Sequence, residues 1–103
     1  MSRGWSRPAR ISGITKHSAG VDEAVVRLGV VEGEYHWHHH DNEDEFFYVV
    51  SGRFLIDLEE RTVDLTPGKG FVVPKGVKHR PRAPERTVIL MVERAGIVPT
   101  GVT

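Results

Sequence analysis

The sequence predicts an all-β fold, an antiparallel sandwich or barrel of short strands. β-branched and aromatic residues are grouped into short segments, and turn-forming residues separate these segments. In Arg53–Leu58, the apolar residues Phe54, Ile56 and Leu58 recur at every second position, which is the period of a strand with one buried face. No segment combines helix caps with an apolar stripe of helical spacing.

Length and composition limit the class of protein. A chain of 103 residues is long enough for one domain, residues 1–103, with a modest core. Its 14 Lys and Arg balance 14 Asp and Glu, so charge does not favour a nucleic-acid or membrane partner. Because the chain has no cysteine, any metal would be held by histidine and carboxylate. We expect a cytoplasmic protein, since neither a signal-peptide core nor a membrane-spanning apolar run is present.

The first half of the chain is expected to form strands after a loose arm. Residues 1–10 carry Gly and Pro among Arg and Ser and are predicted to be the arm, followed by a short strand near Ile11. The β-branched run Glu23–Val31 predicts a strand that a glycine ends. Glu34–His40 is the next predicted strand, and Phe46–Val50 is the one after it.

The second half alternates strands with turn signals. Four more strands are predicted, at Arg53–Leu58, Thr62–Leu65, Phe71–Val73 and Arg86–Arg94. Pro67 and Gly68 suit the central positions of a type II turn, because proline presets φ and glycine accepts a positive φ. Residues 96–103 are predicted to form a tail.

Candidate chemistry is concentrated in residues 36–52, HWHHHDNEDEFFYVVSG. Alternation along a strand would place His36, His38 and His40 on one face and His39 on the other. The polar run at residues 41–44 supplies a turn that could bring Glu45 back to the first face. Two imidazoles and a carboxylate would then converge, which is the beginning of a metal site.

Part of this stretch resembles the first motif of the cupin superfamily. The matching residues are His38, His40, Glu45 and, after six further residues, Gly52. The family usually has five residues between a glycine and the first histidine, whereas four lie between Gly33 and His38.

The second motif of the same family also occurs. Gly68, Pro74, Gly76 and His79 match it, and 15 residues lie between the two motifs. The family usually has Asn where this chain has Ala83. Neither departure falls on a metal ligand of the family, so the resemblance keeps its metal site.

The resemblance implies a small jelly-roll β-barrel, as in the single-domain cupins that are likened to mannose-6-phosphate isomerase. It assigns four metal-ligand roles, to His38, His40, Glu45 and His79. Imidazole and carboxylate together suit a divalent transition metal, namely Zn, Fe, Mn, Ni or Cu. On a six-coordinate ion these ligands would leave two positions open for water or substrate.

The resemblance favours a metal-dependent enzyme of the dioxygenase or isomerase type, acting on a small polar molecule in the barrel. Glu45 or His36 would move a proton during the reaction. Alternatively, His36 would replace one of the ligands or pack inside the barrel. A non-catalytic module that binds or senses a small ligand, and a purely structural metal site, are the other hypotheses.

Side-chain alternation also predicts the core and a partner surface. Phe46 and Tyr48 would face outward, and exposed aromatic residues on a sheet suggest an interface. We therefore expect a homodimer that takes a small-molecule ligand. The residues predicted to form the core are Phe47, Val49, Phe54, Ile56, Val73 and Leu90.

Overall fold

The computed structural model describes residues 10–12 and 18–96. This part of the chain forms antiparallel strands and contains no helix, so the predicted all-β class is confirmed for it. The strands are β1 (Arg10–Ser12), β2 (Ser18–Val21), β3 (Ala24–Glu34), β4 (Glu45–Ser51), β5 (Phe54–Asp57), β6 (Thr62–Leu65), β7 (Gly70–Val73) and β8 (Arg80–Arg94). The predicted arm and tail lie, apart from Arg10 and Gly96, outside the described residues.

Strand β8 connects the two halves of the sheet. Its first residues pair with β5, and residues 88–93 pair with β4, while β3 runs along its other edge. The resulting order is β1-β3-β8-β4-β7, with β2 also on β3, and with β5 and β6 branching from β8. These pairings form an open, branched path, so closure into a jelly-roll barrel stays a prediction.

The boundaries of two predicted strands are wrong. β8 begins at Arg80 rather than Arg86, because Pro81 and Pro84 resemble loop residues in the sequence although they lie within the strand. Residues 34–40 do not form a strand of their own. Instead β3 continues to Glu34, past an irregularity near Gly33, and beyond it an isolated bridge joins His38 to His79.

Two strands lie near the N-terminus. β1 includes Ile11, as the predicted short strand does. β2 was not predicted, since its sequence SAGV has a single β-branched residue and no aromatic one, too few to identify a strand. Within the part of the chain that the structure describes, no helix is long and apolar enough to cross a membrane.

The core lies on the inward face of the sheet. Val49 and Ile56 are fully buried, and the rings of Phe47 and Phe54 pack with their centroids 5.3 Å apart. Five of the six predicted core residues are confirmed. Leu90 is the exception, because its neighbours Ile89 and Met91 point inward and alternation turns Leu90 to the outer face, where it is half-buried.

Candidate metal centre

Four side chains from separate parts of the chain converge on one point inside the protein. His38, His40, Glu45 and His79 each offer a nitrogen or oxygen atom, and these atoms all lie within 4.8 Å of one another. The four residues are between 0% and 5% exposed. The residues that the sequence proposed as ligands are therefore brought together in the folded chain.

Backbone contacts position these side chains. The His38 N–H donates to the His79 carbonyl at 3.0 Å, and the His79 N–H donates back at 2.9 Å. The Gly76 N–H donates to the His40 carbonyl at 2.7 Å, and the Lys75 N–H donates to Asp44 Oδ1 at 2.8 Å. Residues 38–44 are thereby tied to the loop that carries His79.

Hydrogen bonds also orient two of the imidazole rings. Nδ1 of His38 lies 2.9 Å from the His36 carbonyl oxygen, and Nδ1 of His79 lies 3.0 Å from the Val77 carbonyl oxygen. A proton on Nδ1 donates to that carbonyl, which leaves the lone pair on Nε2. Second contacts of this kind are typical of metal-binding histidines.

The atoms that face the centre lack hydrogen-bond partners among residues 10–12 and 18–96. These buried atoms are His40 Nε2, His79 Nε2 and Glu45 Oε1. Glu45 Oε1 lies 3.4 Å from His40 Nε2 and 3.6 Å from His79 Nε2. Because buried polar atoms without partners are costly, a cation among them would remove that cost. Three nitrogens and one carboxylate oxygen are a donor set that suits a divalent transition metal.

The electrostatics of the cluster favour an ionised carboxylate. Burial opposes ionisation of Glu45, but the adjacent imidazoles of His40 and His79 outweigh it and lower its pKa to about 2. The same contact with Glu45 raises the pKa of His40, whereas burial lowers the pKa of His38. A charged carboxylate beside a neutral imidazole is the protonation state in which these groups bind metals.

Glu93 is a buried carboxyl group behind Glu45 that the sequence reasoning missed. It lies directly opposite Glu45 in the β4–β8 register and is 4% exposed. Burial, followed by the adjacent Glu45 carboxylate, raises its pKa to about 7. Arg27 Nε donates to Glu93 Oε2 at 2.8 Å. A signal was present, since Glu93 follows Ile89 and Met91 at the spacing of the inward face.

Tyr35 is a second missed group. Its backbone N–H donates to the Pro81 carbonyl at 3.0 Å, which sets the chain just ahead of His38. Burial and the Glu45 carboxylate both raise the pKa of this phenol, so it stays protonated and able to donate a hydrogen bond. It is not one of the residue types that either motif specifies, so the motifs did not indicate it.

The remaining histidines lie apart from the centre. His36 is exposed rather than packed inside the sheet, and its ring centroid is 5.1 Å from that of His38. His39 is half-buried and its Nε2 lies 3.0 Å from Asp41 Oδ1. His17 lies outside the described residues.

The arginines near the second motif are engaged with a buried carboxylate. Arg82 donates to both oxygens of Asp57, at 2.8 and 2.9 Å, and Arg80 Nε donates to Asp57 Oδ2 at 2.9 Å. Arg80 also lies over the Trp37 ring, 5.7 Å from its centroid. These cations therefore stabilise the join between β5 and β8.

A cleft of about 850 Å³ opens beside the loop that connects His40 to Glu45. None of the four converging residues lines it. Its polar lining is mainly acidic, with Lys75 and Arg94 as the cations. The lining residues are Val21, Asp22, Glu23, Ala24, Asn42, Glu43, Asp44, Lys75 and Arg94.

Comparisons with known proteins match this arrangement of fold and residues. A family model described as "Cupin domain" matches residues 24–93. The uncharacterised protein YdbB of Bacillus subtilis is 46% identical over 74 residues, covering 71% of this chain and 66% of YdbB. The crystal structure of a cupin-2 domain containing protein from Shewanella frigidimarina has 33% sequence identity and a TM-score of 0.72, covering 91% of this chain and 84% of that one.

Several relatives carry the names of enzymes. One of them is 3-hydroxyanthranilate 3,4-dioxygenase of Paraburkholderia phytofirmans, which is 39% identical over 69 residues. That match covers 59% of this chain and 40% of the enzyme. The chain thus spans about two thirds of YdbB and less than half of the dioxygenase.

Proposed function

Because this chain belongs to the cupin family, we propose that it is a metal-dependent enzyme of the dioxygenase type that acts on a small polar molecule. The observation that carries the proposal is the buried cluster of three histidines and one glutamate whose ligand atoms lie within 4.8 Å of one another. Three of its atoms, His40 Nε2, His79 Nε2 and Glu45 Oε1, have no hydrogen-bond partner in the part of the chain that the structure describes, and its donor set suits Zn, Fe, Mn, Ni or Cu.

In this proposal the metal is held by His38, His40, Glu45 and His79. A bound ion supplies Lewis-acid activation of substrate oxygens, and a redox-active ion also supplies electrons to dioxygen. The Nδ1 contacts of His38 and His79 hold their rings in place, so these side chains reorganise little when the ion binds.

Proton movement is assigned to Glu45 and His36. His36 is exposed, yet its ring packs beside that of His38, so it is placed to carry a proton between solvent and the site. Glu45 is ionised and faces the centre, and it is therefore the nearest base. Tyr35 would donate a hydrogen bond to an oxygen of the substrate.

Similarity favours the dioxygenase type over the isomerase type. Matches named 3-hydroxyanthranilate 3,4-dioxygenase occur in Paraburkholderia phytofirmans and in Burkholderia lata, at 39% and 38% identity. We therefore place 3-hydroxyanthranilate and other phenols with an adjacent amino or hydroxyl group first among candidate substrates. Two adjacent donor atoms are what a chelated substrate requires.

The metal proposal is tested by elemental analysis of purified wild-type protein beside three single variants. His40→Ala and Glu45→Ala should lose the metal, while His39→Ala, the matched control from the same stretch, should retain it. Unchanged metal content in the first two variants would contradict the assignment of His40 and Glu45 as metal ligands. Oxygen uptake is then measured for Fe-, Mn- and Ni-loaded protein with the phenol panel.

A non-catalytic binding module is the alternative function. The same residues would hold the metal, and a ligand would dock beside it without being transformed. A compound that raises the melting temperature but is recovered unchanged, together with complete inertness in the oxygen assay, would favour this alternative. A purely structural site would give neither oxygen uptake nor a rise in melting temperature with any compound.

We also propose that the chain is a homodimer. The outward side chains of four neighbouring strands form two apolar rows across the sheet. Phe46 and Val72 share one row, and Tyr48 is 36% and Val72 48% exposed. The rows are Val26, Val92, Phe46 and Val72, and then Leu28, Leu90, Tyr48 and Gly70.

Sedimentation equilibrium tests the dimer. Val72→Glu should shift the protein to the monomer, because the new carboxylate would have to be buried in the apolar rows. Glu60→Lys, which also changes charge at an exposed site, should leave the dimer intact. A wild-type protein that is monomeric at all concentrations would contradict the proposal.

The jelly-roll closure, the cytoplasmic location and the lack of nucleic-acid or membrane partners stay predictions.

A further inference from the structure

Glu93 and Arg27 form a buried ion pair that both sequence motifs leave out. Glu93 lies on β8 and Arg27 on β3, and both project to the inward face of the sheet. Arg27 Nε donates to Glu93 Oε2 at 2.8 Å, and the Glu93 side chain is only 1% exposed. A buried pair needs further partners to offset its desolvation, and this one has an incomplete set.

The unsatisfied atom of the pair is Glu93 Oε1. It is buried and has no hydrogen-bond partner among the described residues. Glu93 lies directly opposite Glu45 in the β4–β8 register, and both carboxyl groups are buried. Arg27 holds Oε2 of Glu93, which leaves Oε1 as the oxygen that is available to the neighbouring Glu45.

We propose that Glu93, anchored by Arg27, is the positioning residue that fixes the orientation of the Glu45 carboxylate. Glu45 has two oxygens, and Oε1 is the one that lies near His40 Nε2 and His79 Nε2. A neighbour that occupies the far side of the carboxyl group restricts its rotation, so Glu45 presents a single oxygen to the centre. This inference rests on the proposed metal site.

The geometry separates this role from simple packing. A side chain needed only to fill space beside Glu45 could be apolar, as Met91 is two residues earlier on the same face. Glu93, on β8, instead lies between Glu45 on β4 and the Arg27 guanidinium on β3, the strand on the other side of β8. Support of a ligand by a second layer of hydrogen bonds is worth about 10–100-fold in metal affinity.

The test compares cobalt-loaded wild type with Glu93→Gln and Glu93→Leu by visible absorption and by competitive chelator titration. Glutamine can accept from Arg27 through its oxygen and donate to Glu45 through its amide, so it should keep the wild-type spectrum and affinity within about threefold. Leucine has a similar volume and neither capacity, so it should shift the spectrum and weaken cobalt binding by about tenfold or more. Glu59→Leu, an exposed site, is the matched control and should behave as wild type.

Each result supports or overturns the inference. A folded Glu93→Leu variant with wild-type spectrum and affinity would overturn it, and so would a Glu93→Gln variant as impaired as Glu93→Leu. If Glu93→Leu does not fold, Arg27→Met replaces it, and an unchanged spectrum there overturns the inference as well. If wild type bound no cobalt, the metal proposal itself would fail, which is a distinguishable result.

Discussion

His38 and His79 face each other as a hydrogen-bonded antiparallel pair, each backbone N–H donating to the other's carbonyl at 3.0 and 2.9 Å. Their ring centroids are 4.4 Å apart. This pair is an isolated bridge, outside every named strand. Together with the bond from the Gly76 N–H to the His40 carbonyl, it joins the two cupin motifs, so the geometry of the candidate metal site depends on backbone contacts between distant segments.

Loss of His79 should have the same effect on metal binding as loss of His40, although the two residues lie far apart in the sequence. His79→Ala should lower the bound metal from about one per chain to near zero, as His40→Ala does, because each removes one of four buried ligands. His36→Ala should retain the metal, since His36 is exposed and outside the cluster. Elemental analysis measures both. If His36→Ala lost the metal while His79→Ala kept it, His36 rather than His79 would have to be assigned as the ligand.

Metal removal should lower the thermal stability of the wild-type protein. At a metal concentration 100-fold above Kd, binding to the folded state alone contributes about 2.7 kcal/mol. For a chain of this size, chelation should therefore lower Tm by about 10 °C or more. The measurement is a thermal melt with and without EDTA. Glu45→Ala should melt at the same temperature in both buffers, and a chelator response equal to that of wild type would contradict the prediction.

Stability should fall in acid through Asp57. Burial would raise the pKa of Asp57, but hydrogen bonds from Arg82, Thr62 and Arg80 lower it from 3.8 to about 2. Because the folded-state pKa is depressed, the contribution is present above about pH 4 and is lost as the pH falls through about 2. A shift of this size corresponds to about 2 kcal/mol, which solvent screening reduces to roughly 1–2 kcal/mol.

The Asp57 effect is measured by urea unfolding at a series of pH values. Asp57→Asn should be less stable at neutral pH and should show a weaker dependence between pH 4 and 2. Asp64→Asn is the comparison, since Asp64 pairs with Arg53 on the exposed surface. An equal pH dependence in wild type and Asp57→Asn would rule out this role for Asp57.

Gly52 should be intolerant of a side chain. Its φ is +92°, and a Cβ there would collide with Thr87 Oγ1 and lie 2.8 Å from the Arg86 carbonyl oxygen. Thr87 Oγ1 also accepts from the Arg53 N–H at 3.0 Å, so it cannot move away without breaking that bond. Gly52→Ala should therefore cost about 2–4 kcal/mol of unfolding free energy.

Gly68 provides the matched control for Gly52. Its φ is +87°, but a Cβ there would meet nothing within 4 Å. Gly68→Ala should cost only about 1–2 kcal/mol, from the positive φ alone. Chemical denaturation of the two variants measures the difference. Equal losses would mean that the contact with Thr87 contributes nothing.

The sequence predicted most of the strands because their evidence is local. Thr62–Leu65 has the same bounds in the prediction and in the structure, and β4 differs by one residue at each end. A run of β-branched and aromatic residues bounded by turns needs no distant partner to be recognised. The start of β8 was missed because its residues pair with β3 and β5 despite two prolines.

The four residues of the candidate site could be predicted from the sequence, but the groups beside them, Glu93 and Tyr35, were not. His38, His40, Glu45 and His79 occur in motifs, and the structure places them together. In the sequence, His36 is separated from His38 and His40 by an even number of positions, so strand alternation would place it on their face. However, residues 35–37 are not a strand, so alternation does not apply and the His36 side chain is exposed.

By itself, the sequence determined the all-β class, the two motifs and the residue types available to a metal. Only the tertiary structure decided that Glu93 lies against Glu45 and that Asp57 receives both Arg80 and Arg82. The physical reason is register. Periodicity along one strand shows which face a side chain occupies, but its neighbour on that face is set by strand pairing over long sequence distances.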